Sequence, residues 1–295
     1  MPLADDRDAV PTAVSVRTSE RGPSMIDLLR LSRSKGFTPG DQPLYRQIAK
    51  LAGLSSDDEV ALRSLLDVPC GQGAVAEFFA QSYPVEVAGV DPDPELIEVA
   101  EQRARDTELT TQLHFQNASV DDLPFQDGVF DLSIGELGLA ASTDPFRAVA
   151  ELCRVTRPSG TVVLMGLIWT GHVDDDQRRI LIEHIGAPPQ MLVEWKQALR
   201  EANVEDLHVE DWSDQAFPFL VRGRTFTHLA ELSTLADKLS ILQRAWQRWG
   251  LRGLRGALGR EYEIRKLLGP ERTIGVTLIT GTKAGVATAE VQHNR

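Results

Sequence analysis

The segment Leu65-Leu66-Asp67-Val68-Pro69-Cys70-Gly71-Gln72-Gly73-Ala74-Val75-Ala76 narrows the possible folds more than any other. An apolar run ends on a carboxylate, two glycines follow at a spacing of two, and a helical pattern begins at once. Glycine tolerates the left-handed backbone of a tight turn and lets a ligand approach the main chain, so the segment predicts strand, loop and helix, with the functional edge where the strand ends. The surrounding pattern agrees. Short β-rich runs at 64–68, 85–91, 113–116, 130–135 and 161–167 alternate with helical stretches at 74–81, 94–106 and 145–155. Such alternation builds a parallel sheet covered by helices. Asp144 followed by Pro145 supplies an N-cap and a first-turn proline, and Pro158-Ser159-Gly160 supplies a turn before the next strand.

The rest of the chain divides around this core. Residues 1–24 mix Pro, Ser, Asp and Arg without periodicity and are expected to form a disordered tail. Helical fragments over 25–63 are expected to make an N-terminal lid, 64–216 the core, 217–270 a helical insertion serving as a second lid, 271–284 the last core strand and 285–295 a tail. After the fifth strand a helix is expected over 189–202, where Met191, Trp195, Ala198, Leu199 and Ala202 share a face, and then a strand over 206–210. In the insertion, Leu229, Leu232, Leu235, Leu239, Leu242, Trp246 and Trp249 recur at helical steps. Gly250, Gly253, Gly256 and Gly259 follow, each about 1 kcal/mol worse than alanine in a helix. The helix is therefore expected to end near Trp249 and give way to a mobile cationic connection.

Charge and cysteine usage exclude several classes. The net charge of −12 repels phosphate backbones, which argues against nucleic-acid binding. No apolar run approaches the roughly 20 residues of a membrane span, and the N-terminal stretch lacks the pattern of a secretory signal. Cys70 and Cys153 form no metal-spaced cluster, so no metal site is expected and a reducing cytoplasm is the simplest location. Residues 222–272 nevertheless carry eleven Lys or Arg against five Asp or Glu. That basic stretch reads either as a solvated face or as a site for an acidic or amphipathic acceptor, with at most peripheral membrane contact.

The second predicted strand ends at Asp91, where a carboxylate can accept hydrogen bonds from two ribose hydroxyls. Gly71-x-Gly73-x-x-Ala76 also fits a dinucleotide fingerprint, so an NAD-dependent oxidoreductase is a minor alternative. Asp67, four residues before the first glycine, weighs against it. From Asp67 to Leu167 the chain resembles the class I S-adenosylmethionine-dependent methyltransferases, most closely the ubiquinone/menaquinone C-methyltransferase type of small-molecule methylase. Asp67-Val-Pro-Cys-Gly-Gln-Gly73 resembles their first motif and Val87-Ala-Gly-Val-Asp91-Pro92 their second. Asp122-Leu-Pro-Phe125 with Asp127-Gly-Val-Phe-Asp131, and Glu151-x-x-Arg154-Val-x-Arg157-Pro-Ser-Gly160, resemble two later ones.

The resemblance implies a Rossmann-like methyltransferase sheet, S-adenosylmethionine as cofactor, S-adenosylhomocysteine as product, and in-line transfer to O, C or N of a small organic acceptor. Carried over onto this sequence, the cofactor residues are Asp67, Pro69, Gly71, Gly73, Asp91, Pro92, Ser119, Val120, Gly135 and Glu136. Two positions depart from the family: Pro69 stands where Gly is frequent, and Ser119 where an Asp commonly faces the adenine amine. Residues beyond the fourth and fifth strands, Gly135, Glu136, Trp169 and His172, are expected near the methyl, with Glu136 and His172 as catalytic candidates. Each has a plainer alternative: Glu136 as a cofactor or helix contact, His172 as a solvated loop residue. Cys70 reads as a small buried residue of the loop. Ser133-Ile-Gly-Glu-Leu-Gly138 stands where an Asn/Asp-Pro-Pro-Tyr/Phe tetrad would mark amide or nucleobase methylation. The alternative to an enzyme is a methyltransferase-like scaffold that binds the cofactor without transfer.

Overall fold

The computed structural model describes residues 22–31, 42–56, 63–213, 235–268 and 273–285. Its centre is a seven-stranded sheet in the order β3-β2-β1-β4-β5-β7-β6. The strands are β1 (Arg63–Val68), β2 (Val85–Asp91), β3 (Leu113–Asn117), β4 (Phe130–Gly135), β5 (Thr156–Trp169), β6 (Val204–Asp211) and β7 (Ile274–Lys283). The first five are parallel, whereas β7 runs antiparallel between β5 and β6. Helices α3 (Ala74–Ser82), α4 (Pro94–Asp106) and α5 (Pro145–Val155) connect the parallel strands as the alternation predicts. Parallel strands covered on both faces become continuous apolar runs. Leu65, Leu66 and Val68 of β1 are accordingly fully buried, as are Val87 and Val90 of β2 and Ile134 of β4. Each large side chain so buried contributes roughly 1.5–3 kcal/mol.

The interior location of β1 fixes the functional edge. From β1 the chain crosses towards β2 and from β4 towards β5, so the connections diverge between two hydrogen-bonded neighbours and leave a crevice at their C-terminal ends.

Several boundaries differ from the sequence reading. β5 begins at Thr156, because the Pro158-Ser159-Gly160 turn is absorbed into an irregularity in its pairing with β4. The expected helix at 189–202 is α7 (Leu192–Glu201), preceded by an isolated bridge between Gln190 and Ile168. Helix α6 (Asp175–Ile185) went unrecognised, although Asp174 caps it through the Gln177 amide and Gly186 closes it with φ 89°.

The lid differs most. Within α8 (Leu235–Leu268) the first helical stretch does break after Trp249, at Gly250 with φ 59° and ψ −140°, but a second helical stretch follows it to Leu268 in place of the expected irregular connection. Two of the three later glycines sit where a side chain would clash, whereas a Cβ on Gly259 would meet nothing within 4 Å. A Cβ on Gly253 would strike the Ala245 carbonyl across the kink, and one on Gly256 would lie 2.9 Å from the Pro23 ring. Gly22–Ser24, placed by sequence in the tail, are buried. Ser24 caps α1 (Met25–Arg30) in a capping box with Asp27. Helix α2 (Gln42–Leu51) packs Leu44, Tyr45 and Ile48 into the main core. The readings for 1–21, 217–234 and 286–295 lie outside the described residues. Among those described, no helix is long and apolar enough to cross a membrane.

Candidate functional site

The crevice is built from main chain first. Gly71 and Gly73 take φ of 53° and 74°, which turns the chain from β1 into α3. A Cβ on Gly73 would lie 2.6 Å from Phe115 Cζ, so the loop is pressed against β3 with no room for a side chain. The Cys70 amide donates to the Val90 carbonyl and the Gly73 amide to the Cys70 carbonyl, both at 2.9 Å. On the other side of β1, the Glu136 amide donates to the Val68 carbonyl at 2.6 Å. A 3₁₀ turn over Leu137–Ala141 follows, and Gly138 leaves space for the Pro69 ring. The three loops after β1, β2 and β4 thus form one surface.

Two carboxylates are sunk into it. Asp67 and Asp91 are both fully buried. Asp91 Oδ2 accepts from the Gly71 amide and Oδ1 from the Asp93 amide, each at 2.9 Å. Neither oxygen of Asp67 has a hydrogen-bond partner among the described residues. Burial, then the charge of Asp91, push its pKa up to about 7; the nearby Ala76 amide, outside hydrogen-bond geometry, offsets part of that rise. A buried carboxylate without donors is costly unless a donor or cation arrives. Asp67 therefore fits the ammonium of an amino-acid moiety, and Asp91 the vicinal hydroxyls of a ribose.

The remaining sequence candidates fall into three groups. Val120 is buried in the loop after β3, while Pro92 and Ser119 are exposed; the Ser119 hydroxyl donates to the Asp121 carboxylate. This loop is tied to β2 by the Asn117 side-chain amide, which donates to the Asp91 carbonyl at 2.9 Å. Arg154 fastens its far end, donating to the carbonyls of Phe125 at 2.8 Å and Leu123 at 3.0 Å. Glu136 is buried beside β1, and Gly135 has its Cα hydrogens against Leu152, Leu139 and Leu164, so it can offer a ligand only main chain. Trp169 is buried with the Arg178 guanidinium 5.0 Å from its ring centroid, and His172 is exposed in the loop before α6. Burial raises the pKa of Cys70 well above its usual value and that of Cys153 to about 12, so both stay protonated and neither is a ready nucleophile.

The groups that sequence reasoning missed come from α1 and α8, the helices expected to form the lids. Arg30, at the end of α1, donates to Asp91 Oδ1. Arg244 of α8 donates to the Leu31 carbonyl at 2.9 Å and to the Gln72 side chain in the glycine loop. Arg248 binds Asp93 at 2.6 Å and Glu95 at 3.1 Å. Arg260 is buried, donating to the Pro23 carbonyl at 3.0 Å and contacting His184 Nδ1. The basic insertion is therefore not a uniformly solvated face: three arginines are docked, and Arg252 and Arg255 are exposed. Asp93 could have been singled out as the N-cap before Pro94, but its arginine lies 155 residues away.

Residues 66–164 match the model of the methyltransferase domain family. An O-methyltransferase, cnsE, of Penicillium expansum is 27% identical over 222 residues, which cover 72% of this chain and 80% of that protein. The ubiquinone/menaquinone biosynthesis C-methyltransferase UbiE of Citrifermentans bemidjiense is 31% identical over 141 residues, covering 47% of this chain and 57% of that one. Apart from the Penicillium protein, the chain spans only about 57–65% of the length of the first relatives. Among solved structures, the [4+2]-cyclase SpnF aligns with a TM-score of 0.66 at 19% identity, covering 86% of this chain and 84% of that one, a likeness of fold. The glycine loop and the buried carboxylates Asp67 and Asp91 fall within residues 66–164, the segment that is similar to the methyltransferase domain family.

Proposed function

We propose that the chain transfers the methyl group of S-adenosylmethionine to O, C or N of a small organic acceptor, held between the β1/β4 crevice and the lid of α1 and α8. The observation that carries this reading is Asp67, whose two buried oxygens lack partners beside the glycine loop. When bound, the cofactor supplies a sulfonium-activated methyl, so no further electrophile is required. Asp67 would hold the amino group, Asp91 the ribose hydroxyls, and Val120 the adenine, with Ser119, Pro92, Pro69 and Gly135 shaping the rim. Glu136 stands where the glycine loop and the 3₁₀ turn meet, which suits a group that orients cofactor or acceptor. His172, exposed in the loop between β5 and α6, is the candidate base, since an imidazole nitrogen can accept the proton of a weakly acidic acceptor. Related O- and C-methyltransferases favour transfer over a binding scaffold. The free, buried Cys70 and Cys153 accord with a cytoplasmic location.

The test is calorimetry with S-adenosylhomocysteine and NAD, followed by transfer of isotopically labelled methyl to a panel of small phenols, carboxylic acids and amines. Micromolar binding of S-adenosylhomocysteine without NAD binding is expected. Binding of NAD alone would overturn the reading. With an acceptor in hand, His172→Ala should lower turnover at least about tenfold, and unchanged turnover would remove His172 from the mechanism.

A further inference from the structure

The contact between Arg30 and Asp91 does not fit a lid that merely covers a finished site. Asp91 already accepts the Gly71 amide on Oδ2 and the Asp93 amide on Oδ1, and Arg30 adds a third donor, again on Oδ1. A carboxylate offers about four lone-pair positions. Two ribose hydroxyls require two, so ribose and Arg30 cannot both be satisfied.

We propose that Arg30 is a built-in competitor of the cofactor ribose, a latch that sets cofactor affinity and couples its arrival to release of α1. This rests on Asp91 as the ribose carboxylate. The electrostatics supply the reason for an arginine. Two buried carboxylates in one crevice repel each other, and a guanidinium at Asp91 offsets that repulsion until the cofactor's own ammonium arrives at Asp67. Arg30 is held only partly: its side chain is 19% exposed, and its Nε is buried with no hydrogen-bond partner among the described residues. Such a contact can yield to a better set of donors.

The release has a route into the second lid. The Arg30 carbonyl accepts from the Gln72 side chain at 3.1 Å, and the next carbonyl, that of Leu31, accepts from Arg244 of α8. Leu28 and Leu31 also pack with Leu96 and Ala245 in a small apolar cluster separate from the main core. Movement at Arg30 thus reaches α8 through Leu31, while Arg248 on Asp93 and Glu95 keeps α8 attached to the rim.

The test is isothermal calorimetry of S-adenosylhomocysteine with wild type, Arg30→Gln and Arg30→Lys, together with thermal melting of each protein free and saturated. Competition predicts at least about threefold tighter binding for Arg30→Gln, with Arg30→Lys between it and wild type. It also predicts a lower melting temperature for free Arg30→Gln but not for the saturated protein. Equal or weaker binding by Arg30→Gln overturns the latch while leaving the methyltransferase site standing. If Arg30→Gln fails to fold, Arg30→Lys decides alone, and equal or weaker binding by it is again fatal. Absence of S-adenosylhomocysteine binding by wild type removes the ribose reading of Asp91, and the latch with it.

Discussion

The crevice and the lid meet at Asp91 and Asp93, yet they are held together by different kinds of bond. In the crevice the donors are main-chain amides, those of Gly71 and Asp93 to Asp91 and that of Glu136 to the Val68 carbonyl. In the lid the donors are arginine side chains, reaching acceptors 61, 155, 172, 213 and 237 residues away. Main-chain donors are fixed once the sheet forms and cost no further ordering. Arginine contacts must order long side chains and can be exchanged for contacts to a ligand. A rigid cradle beneath an exchangeable cover is what a transferase needs if its cofactor must enter and its product leave.

The largest expected effect belongs to the cradle. Burial places the Asp67 pKa near 7, so between roughly pH 4 and 7 the folded chain keeps a proton that the unfolded chain has lost. Stability of the ligand-free protein conferred by this group therefore falls as pH rises through that window, by up to about 4 kcal/mol, and levels off above it. Urea midpoints measured across the window should diverge between wild type and Asp67→Asn. Parallel curves would mean that Asp67 is already ionised and partnered. Next, Asp91→Ala should weaken S-adenosylhomocysteine binding about 10- to 100-fold, roughly 1.5–3 kcal/mol for lost hydrogen bonds to a charged group; unchanged affinity would place the ribose elsewhere.

Effects in the lid should be smaller and uneven. Arg248→Gln loses two carboxylates and should cost about 1 kcal/mol in chemical denaturation. The double change Arg252→Gln with Arg255→Gln touches exposed side chains and should stay within about 0.5 kcal/mol. Acceptor binding that loses its salt dependence in the double variant would show that these two arginines recruit an anionic molecule. If both lid variants were equally destabilised, the division between docked and exposed arginines would be wrong.

The same division explains what could be read from the sequence. Asp67, Gly71, Gly73 and Asp91 announce themselves because a strand, a turn and a helix start are encoded within a few residues, and α4 and α5 appear at their expected positions because Asp93 and Asp144 cap them ahead of prolines. Arg30 carries no local sign of its role, since its partner is brought close only by the folded sheet. The glycines of α8 were misread for a related reason. Propensity assigns each a helical penalty, but at Gly253 and Gly256 the absence of a side chain admits the Ala245 carbonyl and the Pro23 ring, a tertiary gain that propensity omits. Helix α6 is different, as both its Asp174 cap and its Gly186 stop are legible in the sequence.

The antiparallel strand β7 has a consequence for how such a molecule can change. Asp211, where β6 ends, is the register partner of Thr277 in β7, and the Trp212 amide still donates to the Val276 carbonyl at 2.9 Å. The chain therefore leaves the sheet for the lid and re-enters it through neighbouring strands, with the point of exit closed by hydrogen bonds that do not involve the lid. Lengthening a loop whose ends are already joined costs little, about 0.6 kcal/mol for each doubling. The segment between β6 and β7 can thus be exchanged like a cassette while the parallel strands that bear Asp67 and Asp91 keep their register.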